Sequence, residues 1–373
     1  AYSASRPGRP ASAHRVGRRR PTRSRARPTS RNPHPFTEIS MLRLPEFVYH
    51  RPRSLAEALE LLAEHAGDVV PIAGGTDLMP NMKHRLVTPG HLVALKALPE
   101  LRGIEIRDGA LSIGAGETLS SVARHPLVLR HAPSLARAAG LVAGPQLRNM
   151  GTIGGNLCLD TRCTYYNQTL FWRRALGFCL KKDGEVCHVT KVGKKCVAAH
   201  SADTPPVLMT LGAVAELASA GGSREVEVDR FFVADGVANT VREPGEIVTR
   251  IRVPLPAPGV RTSFLKLRQR ESIDFPLLNV AVAAELEEGD VIRDLRIVVS
   301  ALGSRPRALA GLEKVAVGRR LDPEVVEAVA ERAFQQCHPL ENIIVDPEWR
   351  RAMVPVYVRR ALLELVPAAS AAA

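Results

Sequence analysis

Leu55, Leu59 and Leu62 share one face of a helical period in "SLAEALELLAEHAG", residues 54–67. Ser54 and Glu57 make a capping-box pattern at its start, and Gly67 suits its end. An apolar run over 69–73 predicts a strand leading into the glycine turn "GGTDL", and a run over 91–95 predicts the next strand. "GIEIRDGALSIGAG" alternates on either side of Asp108-Gly109, which predicts a tight hairpin. Helical stretches over 118–129 and 135–141 precede the glycine-rich "GPQLRNMGTIGGNL". Later, "VLMTLGAVAELAS" and "EVEVDRFFVADG" read as ordinary core, and proline-rich 253–262 marks a boundary. Beyond it, two strands flank Glu288-Gly289-Asp290, and Asp322-Pro323 and Asp346-Pro347 each predict a capped helix start. The expected class is α+β, with one domain over 41–257 and a second over 258–368.

Composition adds to this picture. The chain has 373 residues, 45% of them hydrophobic, enough for a sizeable core in two or three domains. No apolar run approaches the roughly 20 residues of a membrane helix, so a cytoplasmic protein without membrane contact is expected. Residues 1–40 hold ten arginines and one acid, Glu38, and so carry +9 of the net charge of +13. Six prolines and few aliphatic residues make this stretch an expected disordered basic tail. Because "ISMLRLPEFVYHRP" suits a natural start at Met41, no nucleic-acid role is assigned to the tail.

The glycines suggest chemistry. In "AGGTDL", residues 73–78, Gly74 and Gly75 permit a tight turn and close approach of backbone N–H groups to an anion. "NMGTIGGN", residues 149–156, repeats that composition with Gly151, Gly154 and Gly155. Neither matches the Rossmann fingerprint or the P-loop, and each alone is well explained as a structural turn. Two together, with "SADTPP" at 201–206, could enclose a pyrophosphate.

The order "PIAGGTDL", "LRNMGTIGGN", "SADTPPVLMTLGA" and "FLKLRQRESIDFPLLNVAVA" resembles the FAD-binding subunits of the molybdenum hydroxylases, the xanthine and carbon monoxide dehydrogenases among them. The resemblance covers about 41–365 and implies a two-subdomain FAD-binding fold of the vanillyl-alcohol-oxidase (PCMH) type. It also implies a C-terminal α+β domain of the CO dehydrogenase flavoprotein type. By position, Ala73, Gly74, Gly75, Thr76, Asp77 and Leu78 would wrap the FAD pyrophosphate. Thr152, Gly154, Gly155 and Asn156 would form the second loop, Asp203 would bind the adenosine ribose, and Lys266 would lie near the isoalloxazine.

Between the second loop and Asp203 lies an insert, about 158–200, with four of the six cysteines: Cys163, Cys179, Cys187 and Cys196. Six cysteines are too few for a disulfide scaffold in a chain this long, and the spacing contains no CxxC. Four thiolates suit Zn²⁺ or an iron–sulfur cluster equally. Within the molybdenum hydroxylases such an insert resembles the flavoprotein subunit of 4-hydroxybenzoyl-CoA reductase, which implies that these cysteines ligate a [4Fe–4S] cluster. Cys158 and Cys337 are read as structural, and His188 as a neighbour of the ligands. Arg173, Arg174, Lys181, Lys182, Lys191, Lys194 and Lys195 outnumber Asp183 and Glu185 by five charges, which could offset cluster charge or dock an acidic ferredoxin. Tyr165, Tyr166, Phe171, Trp172 and Phe178 would shield the cluster or pack the loop.

That resemblance implies an electron-transfer subunit of an oxidoreductase of anaerobic aromatic degradation. Electrons would pass from ferredoxin through the cluster and FAD to a [2Fe–2S] small subunit and a molybdopterin-binding large subunit, in a dimer of heterotrimers. The substrate would be 4-hydroxybenzoyl-CoA, bound elsewhere, so this chain would contribute no catalytic residue. Two alternatives stand beside it: the FAD subunit of another molybdenum hydroxylase acting on an N-heterocycle or aromatic, and a zinc-stabilised flavin-binding module without turnover.

Overall fold

The computed structural model describes residues 42–190 and 193–366; the basic tail over 1–40 and Lys191 lie outside them. The first elements are β1 (Val48–His50), α1 (Leu55–Glu64), β2 (Val69–Ile72), α2 (Leu78–Lys83) and β3 (His91–Ala94). The strands form a parallel sheet in the order β1-β3-β2. Ala58, Leu59 and Leu62 on the buried face of α1 pack near Val93 and Leu95. The Ser54 hydroxyl caps α1 by accepting from the Glu57 N–H, while the Glu57 carboxylate reaches back to the N–H of Arg53.

β4 (Ile104–Arg107) and β5 (Ala110–Gly114) form the hairpin, with positive φ at both Asp108 and Gly109. Helices α3 (Leu119–Arg124), α4 (Pro126–His131), α5 (Pro133–Leu141), α6 (Pro145–Met150), α7 (Ile153–Leu157), α8 (Leu170–Leu176) and α9 (Thr204–Thr210) follow. The single helix expected over 118–129 divides at His125, because Pro126 lacks the N–H needed to continue it. β6 (Val214–Ser219), β7 (Gly222–Glu227) and β8 (Ile247–Pro254) complete an antiparallel sheet in the order β4-β5-β8-β6-β7.

β9 (Val260–Leu267), β10 (Leu278–Leu286), β11 (Ile292–Ser300) and β12 (Arg307–Ala308) form a third sheet in the order β12-β11-β10-β9. α10 (Glu313–Ala316), α11 (Pro323–Gln336) and α12 (Pro347–Leu363) follow, and α11 and α12 share the core with this sheet. Asp322 and Asp346 cap α11 and α12, accepting from the N–H groups of Val325 and Trp349. β10 is buried on both faces: Val280, Val282 and Ala284 join this core, whereas Ala281 and Phe264 of β9 join the core of the preceding domain. A strand so enclosed reads as a continuous apolar run instead of an alternating one.

A polar row interrupts that apolar seam. Lys266, Asn279 and Ser300 lie side by side in register on β9, β10 and β11. The Lys266 ammonium donates to Asp203 Oδ2 at 2.7 Å, and to the carbonyls of Leu141 and Asp274 at 3.1 Å each. Asn279 Nδ2 donates to Asp203 Oδ1 at 3.0 Å and to Ser300 Oγ at 3.2 Å. Burial pushes the Asp203 carboxyl above its usual range, and Lys266 and Asn279 pull it back. This set clamps the start of α9 to the C-terminal sheet.

Removing one partner of a buried pair strands a charge and costs about 3–5 kcal/mol. Lys266→Met should therefore destabilise the chain by that order at neutral pH, read by thermal or urea unfolding. The lone carboxylate would titrate in the fold above its unfolded value of about 3.9, so the native state would bind the extra proton. The variant should therefore regain stability relative to wild type as pH falls from 7 towards about 5. A deficit that does not change with pH would contradict the pairing.

Candidate functional site

The first glycine turn leaves β2 at Ile72 and enters α2 at Leu78. Gly75 sits at φ +70°, a conformation open to glycine at little cost. Among the described residues, the backbone N–H groups of Gly74, Gly75, Thr76 and Asp77 donate to no protein acceptor. The second glycine segment lies directly behind it. A Cβ on Gly74 would come within 2.6 Å of the Met150 carbonyl carbon and 2.8 Å of Gly151 Cα. The two loops thus touch backbone to backbone, which only glycine allows.

The loops have different roles. In the second, most N–H groups are already used: Ile153 donates to the Glu117 carbonyl, Gly154 to Ala115, Gly155 to the Thr152 hydroxyl and Asn156 to the Thr152 carbonyl. A Cβ on Gly154 would meet the Ala115 Cβ at 2.7 Å, so this glycine serves close packing. Asn156 is buried, and its Oδ1 accepts from the Thr204 N–H and hydroxyl at the start of α9. Gly155 alone among these is exposed. The first loop therefore presents a row of free donors able to hold an anion, and the second braces it.

Asp203 and Lys266, expected at the ribose and at the isoalloxazine, are both buried and pair with each other at 2.7 Å, in the clamp described above. That pairing crosses 63 residues and leaves no sequence signal.

The first loop also reaches the cysteine insert. The Asp77 carboxylate accepts from Asn81 at 3.0 Å and forms an ion pair with Arg162, the residue before Cys163. Arg162 lies over the Phe275 ring at 4.7 Å, and its backbone pairs with Ala199 in both directions. Burial lowers the Arg162 guanidinium pKa to about 10.

Cys163, Cys179, Cys187 and Cys196 line one small pocket with Tyr165, Tyr166, Lys181 and His188, and none is in a disulfide. Cys163 N–H is held by Asn167 Oδ1, and Tyr166 and Leu86 pack beside Cys179. Burial raises the Cys163 thiol to about 11, with Cys196 and Cys179 adding to it, and burial also raises Cys196. Against the opposing effect of burial, hydrogen bonds from Thr190, Val189 and Val197 hold Cys187 below its ordinary value. Four free, buried or half-buried thiols at one pocket suit a group that supplies positive charge.

The charges of the insert divide in two. Lys181 is buried, donating to Asp160 at 2.8 Å, to Thr161 at 2.9 Å and to the Gly236 carbonyl, with the Tyr166 ring at 4.8 Å. Arg173 is buried against the carbonyls of His84 and Arg85. Neither is available to a docking partner; Arg174, Lys194 and Lys195 are exposed and Lys182 half-exposed. Phe171, 76% exposed, shields nothing, and Trp172 is partly exposed, so of the five aromatics Tyr165 and Tyr166 are those at the pocket. His188 bonds the Phe178 carbonyl at 2.6 Å, and Cys337 is buried in the C-terminal core. Cys158 caps α7 and packs against the middle core.

The sequence matches the family described as the FAD binding domain in molybdopterin dehydrogenase over residues 45–256, and the CO dehydrogenase flavoprotein C-terminal domain over 263–365. It is similar to the carbon monoxide dehydrogenase medium chain of Hydrogenophaga pseudoflava, 30% identical over 319 residues, covering 85% of this chain and 96% of that protein. It is 27% identical to the xanthine dehydrogenase FAD-binding subunit of Escherichia coli O157:H7, covering 86% and 96%. The solved carbon monoxide dehydrogenase of Hydrogenophaga pseudoflava lacking the Mo-pyranopterin moiety superposes with a TM-score of 0.71 at 29% identity, covering 86% of this chain and 98% of that one. Among the described residues no helix is long and apolar enough to cross a membrane.

Gly74→Ala should push the loops apart, since its Cβ meets backbone and not a flexible side chain. Overpacking of this kind costs about 1–3 kcal/mol, so the variant should lose thermal stability and bind FAD roughly 5–100-fold more weakly. Gly155→Ala has only Thr152 Oγ1 near its Cβ, at 3.1 Å, and should keep the fold. Full flavin content and an unchanged unfolding midpoint in Gly74→Ala would remove the bracing role.

Proposed function

The chain belongs to the FAD-binding subunits of the molybdenum hydroxylases, and on that premise we propose that it serves a reductive member of the group, with Cys163, Cys179, Cys187 and Cys196 holding a [4Fe–4S] cluster. The observation that carries this reading is four free thiols around one pocket, in an insert joined to the first glycine loop through Arg162 and Asp77. A redox-inert zinc beside a flavin would add nothing to electron flow, whereas a cluster delivers single electrons to it, and that context favours a cluster.

When bound, the cluster supplies single electrons and FAD exchanges them singly or in pairs. The chain's own residues prepare both sites. The free N–H groups of residues 74–77 hold the pyrophosphate, with Leu78 opening the helix behind them, Ala73 entering the turn, and Thr152, Gly154, Gly155 and Asn156 as the brace. Lys181 sets a buried positive charge against the thiolates, and Tyr166 and Leu86 keep water from Cys179. The exposed Arg174, Lys194 and Lys195 offer positive charge to an acidic donor such as ferredoxin.

The partners in this reading are a [2Fe–2S] small subunit and a molybdopterin-binding large subunit, in a dimer of heterotrimers. On the large subunit, 4-hydroxybenzoyl-CoA would take two electrons and two protons, lose its ring hydroxyl as water and leave as benzoyl-CoA. Removing a phenolic hydroxyl is a demanding reduction, which suits donors near −400 mV, the range of plant-type ferredoxins.

Anaerobically purified protein should contain roughly four iron and four sulfide per chain. Cys179→Ser should lose most of that iron and retain FAD, because the pyrophosphate donors are on another loop. Within the complete complex the same variant should lose ferredoxin- or viologen-driven reduction of the thioester. Zinc in place of iron, or full reductase activity in the variant, would defeat the proposal.

A further inference from the structure

His50, His65 and His91 come from β1, the end of α1 and β3, and meet beside the small parallel sheet. His50 Nε2 lies 2.9 Å from His91 Nδ1. The His65 ring stacks on His91 with centroids 3.8 Å apart, and the His50 ring lies 5.0 and 5.2 Å from the other two. One ring nitrogen from each falls within 4.8 Å of the others, and all three residues are half-buried. Regular backbone holds them: His91 pairs with Val48 and Val69, His50 pairs with Val93, and the His65 N–H donates to the Leu61 carbonyl at 3.2 Å. Neither the glycine loops nor the cysteine insert uses them.

The geometry points to a divalent metal site of three imidazoles, for which Zn²⁺ is the fitting ion. Neutral imidazole is a preferred donor for zinc, nickel and copper. Nitrogens bonded to one zinc at 2.0–2.1 Å in a tetrahedron lie about 3.3 Å apart, close to the separation His50 and His91 already have. His65 joins by turning about its side-chain bonds, since its ring now lies flat on that of His91. Partial exposure leaves room for a water as fourth ligand. Bound there, the ion cross-links all three contributing elements. The gain would be local: strands of three or four residues form this sheet, and β2 beside β3 delivers the first glycine loop. An ion that binds only the folded form stabilises it by mass action.

The test is a Zn²⁺ titration by calorimetry of the anaerobically purified full chain, its pocket cysteines already occupied because thiols also take zinc, carried out on wild type, His65→Ala and His91→Ala. One zinc equivalent should bind in wild type, and each histidine variant should weaken it by roughly 10–100-fold or more, the range that even outer-shell losses cause. A second readout needs no variant. In wild type, Zn²⁺ should slow carbethoxylation of His50, His65 and His91, read by peptide mass spectrometry, and leave the exposed His338 unaffected. Equal zinc binding in the histidine variants, or no protection of the trio, would reduce it to a stacked, hydrogen-bonded cluster without an ion.

Discussion

The ion pair between Asp77 and Arg162 is the constraint on which the arrangement of the site depends. Asp77 ends the row of free N–H donors, and Arg162 begins the cysteine insert one residue before Cys163. A carboxylate beside an anion-binding turn would repel a phosphate if left alone; the guanidinium neutralises it. Arg162 is itself fixed, by Phe275 on one side and by its two-way backbone pairing with Ala199 on the other. That pairing closes the insert at its base, so Cys163 at one end and Cys196 at the other are brought to the same place. One contact thus positions the first glycine turn and the thiol pocket together.

A second constraint acts at the domain seam. β10 is buried on both faces, which leaves the row of Lys266, Asn279 and Ser300 without water. Asp203 accepts from Lys266 and Asn279 of that row, and with it fixes α9, whose first residue, Thr204, bonds Asn156 of the second glycine loop. The chain of contacts runs from the C-terminal sheet to the brace behind the first loop. The C-terminal sheet therefore helps fix the first glycine loop without supplying any of its free donors.

Local chemistry was legible in the sequence where neighbours decide it. The Asp108-Gly109 hairpin and the aspartate caps of α11 and α12 each depend on residues a few positions apart, and each formed as expected. Gly74 and Gly75 were recognisable as a turn for close backbone approach. Pairings over long separations were not legible. That Asp203 and Lys266 meet is one such pairing, across 63 residues. Likewise, Lys181 and Arg173 counted as surface charge until folding buried them, and the three histidines fall in segments 15 and 26 residues apart with no motif. Phe171 failed as a shield because its helix turns it outward, which a seven-residue helix within an insert gives too little pattern to foretell.

The central claim is that the thiol pocket beside the first glycine turn holds a redox centre. Electron paramagnetic resonance of the anaerobic, dithionite-reduced chain tests it most directly. The account predicts the signal of a reduced [4Fe–4S] cluster at roughly one spin per bound FAD, absent when the pocket cysteines are replaced. A chain that holds stoichiometric FAD yet gives no cluster signal, with zinc bound at the four cysteines, would contradict it.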